Sequence, residues 1–388
     1  SPELAVTHLA RALVEPPAAD VRIAVLRELG LAELAAGREE GRAHLEAAMA
    51  LVEDPGERAL LALELADWLV PTFRWAEAAA IVRRARDELG DADREIRLLL
   101  EGLLAFVRMH LGLGGDDIER LREQAAELAG ETPAERYVLA IVASLTLDDT
   151  AEDHARTADL MIASANSAIG LPRLPDTDIA TALMRAGRLE QADRFITGRL
   201  EAAREDGRVP SYALLVGMRG LLALERGELA PAEADLQAAL ELTEELSGLA
   251  APLGALLALV NAEQGRLEDA ERLLDHHGMG GPMPEYQAMN PVLYARARTR
   301  ALQGRRELAL ADALEIGRRH ERLGIRRAVP AWRSLAATQL KALNGNGRAR
   351  ELISEEVTLA ERWGTPFAIG LALRGAGLVE VDAERLAA

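Results

Sequence analysis

The chain has 388 residues, 49% of them hydrophobic but only 3% aromatic, and carries a formal charge of −18. It has no cysteine, which excludes disulfides and thiolate metal sites and fits a reducing cytoplasm. The acidic balance argues against direct nucleic-acid binding, and no apolar run is long enough to span a bilayer.

Along the chain, apolar residues recur at intervals of three and four, and period-two runs are absent, so helices are expected throughout. A three-point signature returns about every 38 residues, the mark of a repeat array. Its anchors are Gly37, Phe73, Gly112, Thr150, Gly187, Gly227, Gly265, Gly304 and Asn344. Seven residues before each stands a small one: Gly30, Ala66, Ala105, Ala143, Ala180, Gly220, Ala258, Ala297 and Ala337. Five residues after most anchors stands an alanine: Ala78, Ala155, Ala192, Ala232, Ala270, Ala309 and Ala349. The first unit is displaced by one, to Ala43, and the third has Asp117.

Small residues late in one helix and early in the next let two backbones cross closely. A single hairpin cannot bury its apolar face, so neighbours stack into a continuous core. The pattern is similar to tetratricopeptide repeats. It predicts an all-α, right-handed solenoid of helical hairpins, a single array over residues 1–388 of about nine units. The clearest unit is Ser211–Gly248: a helix through Arg226, a Gly227-Glu228 turn, then Pro231-Ala232-Glu233 opening the second helix. Proline is tolerated there because the first-turn N–H has no helical partner.

The stretch His276–Pro291 interrupts the array, with three methionines and three prolines, and is expected either on a binding rim or as a passive linker. Beyond it the charge reverses. Pro282–Ala388 has 17 basic and 12 acidic residues, net +5, so Ser1–Gly281 carries −23. The pairs Arg305-Arg306, Arg318-Arg319 and Arg326-Arg327, with Arg296, Arg298 and Arg300, read as a solvated face or domain contact; an anionic partner is the sharper reading.

Signs of catalysis are absent from the sequence. A Gly-x-x-x-x-Gly-Lys-Ser/Thr loop needs a lysine, and the only one is Lys341, in Gln-Leu-Lys-Ala-Leu. Gly112-Leu-Gly-Gly115 follows a helix rather than a strand, which disfavours a dinucleotide loop. No Gly-x-Ser-x-Gly elbow or His-Glu-x-x-His occurs. Adjacent helical residues such as His276-His277 diverge by about 100° and make a poor metal pair. Glu244-Glu245 and Glu355-Glu356 are expected on exposed faces. No catalytic, cofactor or metal residue is therefore assigned, and the segment is not expected to be an enzyme.

Binding is the better prospect. Counted from the small residues, the first helices turn Phe106, Met109, Met184, Leu221, Leu259, Tyr294, Arg298, Thr338 and Lys341 inward. Tyr294 and Arg298, one turn apart, form the most suggestive polar pair.

The last quarter carries a more particular likeness. Asn290-Pro-Val-Leu-Tyr-Ala-Arg296 leads to Val329-Pro-Ala-Trp-Arg-Ser334. Ala349-Arg-Glu-Leu352, Glu355-Glu356, Leu359-Ala-Glu-Arg-Trp-Gly-Thr-Pro366 and Gly370-Leu-Ala-Leu-Arg374 follow. This run resembles the helical-repeat region of the large ATP-binding LuxR-family transcriptional regulators of actinomycetes. The resemblance implies an ATPase before such a region and a helix-turn-helix after it. ATP is then expected on a missing domain and no cofactor in this segment; Ser1 and Leu386-Ala-Ala388 read as cut ends. A related maltose regulator senses a small sugar in its superhelix, so a small-molecule inducer or a protein partner is expected in the groove. Self-association is a further expectation. The alternative is a stand-alone adaptor that holds peptide segments of partner proteins.

Overall fold

The computed structural model describes residues 2–15, 18–113, 116–145, 150–167, 176–243, 249–287, 289–325 and 331–380. Among the described residues there are twenty α-helices and no strand. A flanking helix, α1 (Pro2–Val14), leads into nine antiparallel pairs. The first four are α2 (Ala19–Ala35) with α3 (Glu40–Leu51), α4 (Pro55–Leu69) with α5 (Trp75–Leu89), α6 (Arg94–His110) with α7 (Asp116–Ala125), and α8 (Pro133–Leu145) with α9 (Ala151–Ser167). Then come α10 (Asp176–Arg185) with α11 (Leu189–Glu205), and α12 (Val209–Glu225) with α13 (Leu229–Glu241). The last three are α14 (Ala250–Glu263) with α15 (Leu267–His276), α16 (Met289–Leu302) with α17 (Arg306–Arg322), and α18 (Trp332–Ala342) with α19 (Asn346–Trp363). A final helix, α20 (Pro366–Glu380), packs on α18 and α19.

The turn within each pair has one chemistry. Eight of the nine anchors have positive φ: six are glycines, and Phe73 (60°) and Asn344 (66°) are the positive-φ non-glycine residues among those described. In each, the anchor N–H donates three residues back and the next N–H donates five back. Gly227 reaches Leu224 O (3.0 Å) and Glu228 reaches Ala223 O (2.9 Å), and the same pair of bonds recurs at Asn344 and Gly345. This left-handed cap satisfies the last carbonyls of the first helix and aims the chain back along it. Thr150 departs from the pattern. Its Oγ1 accepts from the Asp153 N–H (3.2 Å), so it caps the start of α9 instead.

The small residues mark the crossings. Ala66, Ala180, Ala258, Ala297 and Ala337 are fully buried, as are Ala78, Ala192, Ala232, Ala270, Ala309 and Ala349. A Cβ on Gly220 would stand 2.8 Å from Leu236 Cγ and 3.2 Å from Ala232 O. In the first unit Ala43 is exposed and Gly41 fills the slot: a Cβ on Gly30 would stand 2.7 Å from Gly41 O and 2.8 Å from Leu45 Cγ. The crossing there falls four residues after the anchor instead of five. Asp117 is a side chain outside those described.

Successive coils of the array touch. Arg208 reaches Asp67 (3.4 Å) across 141 residues of sequence, and Trp363 Nε1 donates to Arg185 O (3.0 Å) across 178. Between them, the Gln287 N–H donates to His110 O (2.8 Å), and Tyr286 packs on Trp75 with ring centroids 6.3 Å apart. The interruption after α15 is thus a strap that crosses from the seventh hairpin to the second and third, rather than a free rim or linker.

Arg296, Arg300, Arg318, Arg319 and Arg322 hold this strap in place, which for the buried Arg296 and Arg319 corrects the expectation of a solvated face or domain contact; Arg305 and Arg306 are exposed, as that expectation has them. Arg296, with its side chain 7% exposed, forks onto Asp312 (2.9 and 2.7 Å) and donates to Gly281 O (2.6 Å). Arg300 donates to Asp312 (2.7 Å) and to Gly280 O (3.2 Å). Arg319 donates to Pro284 O (2.9 Å) and Met283 O (3.1 Å), while Arg318 and Arg322 pair with Glu285. Arg326 and Arg327 lie outside the described residues.

Candidate functional site

The first helices of the later hairpins, with α6, α20 and the α4–α5 turn, enclose a chamber of about 830 Å³. Its wall follows one helical stripe. Leu214, Gly217, Met218, Leu221 and Leu224 come from α12; Pro252, Leu253, Leu256 and Leu259 from α14; Leu335 and Thr338 from α18; Phe367, Leu371 and Leu378 from α20. Phe106 and His110 of α6 and Phe73 and Trp75 of the α4–α5 turn close the opposite side. The His110 ring packs on Trp75 (4.6 Å) and Phe106 (4.3 Å), and Phe73 stacks on Trp75 (5.4 Å). Mostly apolar concave walls of this size, with few polar groups, are typical of small-ligand sites.

The polar groups fall into two sets. In the first, His110 Nδ1 donates to Phe106 O (3.0 Å), leaving Nε2 3.4 Å from Asp178. Arg185, one helix over from Glu225, is half-buried, and its guanidinium makes no hydrogen bond or ion pair with any described residue. Burial pushes its pKa down, with Asp178 and Glu225 opposing that shift through space. Burial likewise pushes the Glu225 carboxyl up to about 7, against the pull of Arg185. In the second set, Arg298 forks onto Glu263 (2.6 and 3.2 Å), and those bonds raise its pKa. Burial raises that of the neighbouring Tyr294.

Of the inward residues expected from the sequence, Phe106, Met184, Tyr294 and Arg298 lie in this wall, with Leu221, Leu259 and Thr338. Met109 and Lys341 do not. Met109 is 8% exposed within the inter-helix core, and Lys341 is half-buried off the wall. Sequence reasoning missed His110, Arg185, Glu225 and Trp75. A signal existed for three of them: His110, Arg185 and Glu225 each stand two residues before an anchor, as does Glu263, so the last turn of the first helices carries the polar rim.

Elsewhere the expected chemistry is thin. Among the described residues, no group of three or more His, Cys, Asp or Glu could hold a metal. His277 packs over Gly254, where a Cβ would stand 2.5 Å from its Cδ2, and burial lowers its pKa. Glu355 is exposed but Glu356 is 1% exposed, which corrects the expectation of two solvated carboxylates. Glu244-Glu245 lies outside the described residues. Trp332 fills the space over Gly317 of the preceding hairpin. No described helix is long and apolar enough to cross a membrane.

The architecture defines a helical-hairpin solenoid of the tetratricopeptide type, coiled around a partly open chamber. Solved structures share that fold. A chain of the APC/C hetero-tetramer Cut9–Hcn1 matches 90% of this chain with a TM-score of 0.58 at 14% identity. This chain spans 63% of its length. A Rap protein complexed with Competence and Sporulation Factor matches 89% of this chain with a TM-score of 0.54, also at 14% identity, over 99% of its own length. No family model matches the sequence, and no curated protein matches it.

Proposed function

We propose that this chain is the sensing segment of a LuxR-type, ATP-binding transcriptional regulator, taking a compact ligand in its chamber and passing occupancy to other domains through the curvature of the solenoid. The observation that carries the reading is the chamber itself: about 830 Å³, largely apolar, and built from helices of many hairpins, so that filling it biases their relative tilt. The Rap protein of similar fold was solved with a bound factor, which is in keeping with a signal-taking role. The regulator context rests on the likeness of the Asn290–Arg374 run. An adaptor holding a partner's peptide segment would use the same wall and remains the second reading.

Titration with the neutral dye Nile red tests the chamber. A single saturable site is expected, and it should be lost in Leu221→Trp, which fills the wall. An equal signal from the variant, or no saturable site in the parent chain, would overturn the reading. The regulator context has its own test: ATPase and helix-turn-helix segments are expected on either side in the full open reading frame, and a frame encoding repeats alone removes it.

A further inference from the structure

Arg185 sets the chamber apart from a plain apolar cavity. Every other strong charge in the wall has a partner, is open to solvent or is Glu225. Arg298 is held by Glu263, and Asp178 lies beside His110. Arg374 is exposed. Arg185 alone combines a half-buried position with a guanidinium that has no hydrogen bond or ion pair among the described residues. Its backbone is locked, since its carbonyl accepts from Trp363 Nε1 (3.0 Å). A half-buried cation with no bonded counter-ion beside a largely apolar wall would be satisfied by an anion with an apolar body.

Resting on the sensing role above, we propose that the chamber binds an amphipathic organic anion. Its carboxylate or phosphate head forks onto Arg185, and its apolar body lies along Met184, Met218, Leu221 and Leu256. The wall fits that pose: Met184 and Met218 line the same chamber as Arg185, and methionines are flexible and polarisable and adapt to an alkyl or ring body. Glu225, close enough to interact with Arg185 but not ion-paired to it, suits the same head group. A carboxyl pushed up to about 7 by burial is partly protonated at neutrality and donates to an anion instead of repelling it.

The test uses matched ten-carbon probes below their micelle concentrations: decanoate, decyl phosphate, decanol and decylamine, titrated calorimetrically into the chain. One anionic probe is expected to bind at one site per chain, at least about tenfold tighter than decanol, from a charge-assisted pair. Whichever of decanoate and decyl phosphate binds tighter identifies the head group. Arg185→Gln should abolish the preference while leaving decanol binding unchanged, and Arg374→Gln should retain it. Equal affinity for all probes overturns the anionic head while leaving the chamber reading intact. Tighter binding of decylamine, or loss in Arg374→Gln alone, overturns the placement. Binding of none of the four, together with no Nile red site, fails the chamber reading itself.

Discussion

Glu356 is the most consequential single side chain outside the chamber. It lies on the buried stripe of α19 with Leu352, Ile353 and Ala360, and Arg333 Nη1 is 3.6 Å from its Oε2. Burial pushes its carboxyl up to about 8, with Arg333 opposing. The folded chain therefore holds this proton more tightly than the unfolded chain. The stabilising contribution is complete in acid and falls as pH rises from the ordinary carboxylate range to about 8. Urea midpoints for the parent chain and Glu356→Gln between pH 5 and 9 check this. The variant, which cannot ionise, should lose less stability over that range, and parallel profiles would refute the assignment. The burial was legible after the fact: Ala349, Leu352, Ile353, Glu356, Ala360 and Trp363 keep three-four spacing. Reading Glu355-Glu356 as a pair hid it, because adjacent helical residues face different directions.

At the scale of the hairpin, turn and crossing were the most legible features, because each imposes a constraint that few residue types meet. A left-handed cap selects Gly or Asn, and a close helix crossing selects Gly or Ala; both recur with the period of the array. Phe73 shows where type alone fails, since its positive φ is tolerated while its ring stacks on Trp75 in the chamber wall. The crossing gives a direct prediction. Ala232 is fully buried, and its carbonyl lies 3.2 Å from where a Cβ on Gly220 would be. Ala232→Leu should destabilise the array by about 1–3 kcal/mol through overpacking. Ala234→Leu, on the exposed face of the same helix, should shift the melt by less than about 0.5 kcal/mol. Equal melts for the two variants would show that the helices do not meet there.

Across the whole molecule, closure depends on contacts that no local pattern announces. The strap has no periodicity, and most of the arginine donors that hold it end on backbone carbonyls, Met279, Gly280, Gly281, Met283 and Pro284, whose positions follow only from the completed fold. Its two attachments differ in strength. Toward its own hairpins it is fixed by Arg296 and Asp312, both 7% exposed at the side chain, and breaking such a buried pair costs about 3–5 kcal/mol. The Glu285 pairs with Arg318 and Arg322 are exposed and worth much less. Toward the second and third hairpins it is held by the Gln287 N–H to His110 O bond, by Tyr286 against Trp75 and by the Glu285 carbonyl packed at Gly112. The distal attachment is therefore the one that opens first, next to the His110 and Trp75 side of the chamber. Tyr286→Ala should undock it without disturbing Arg296. Hydrogen exchange reads this directly: the Gln287 amide should exchange faster in the variant while α16 amides keep their protection. If Gln287 already exchanges at the free-chain rate in the parent protein, the coils are not joined by the strap.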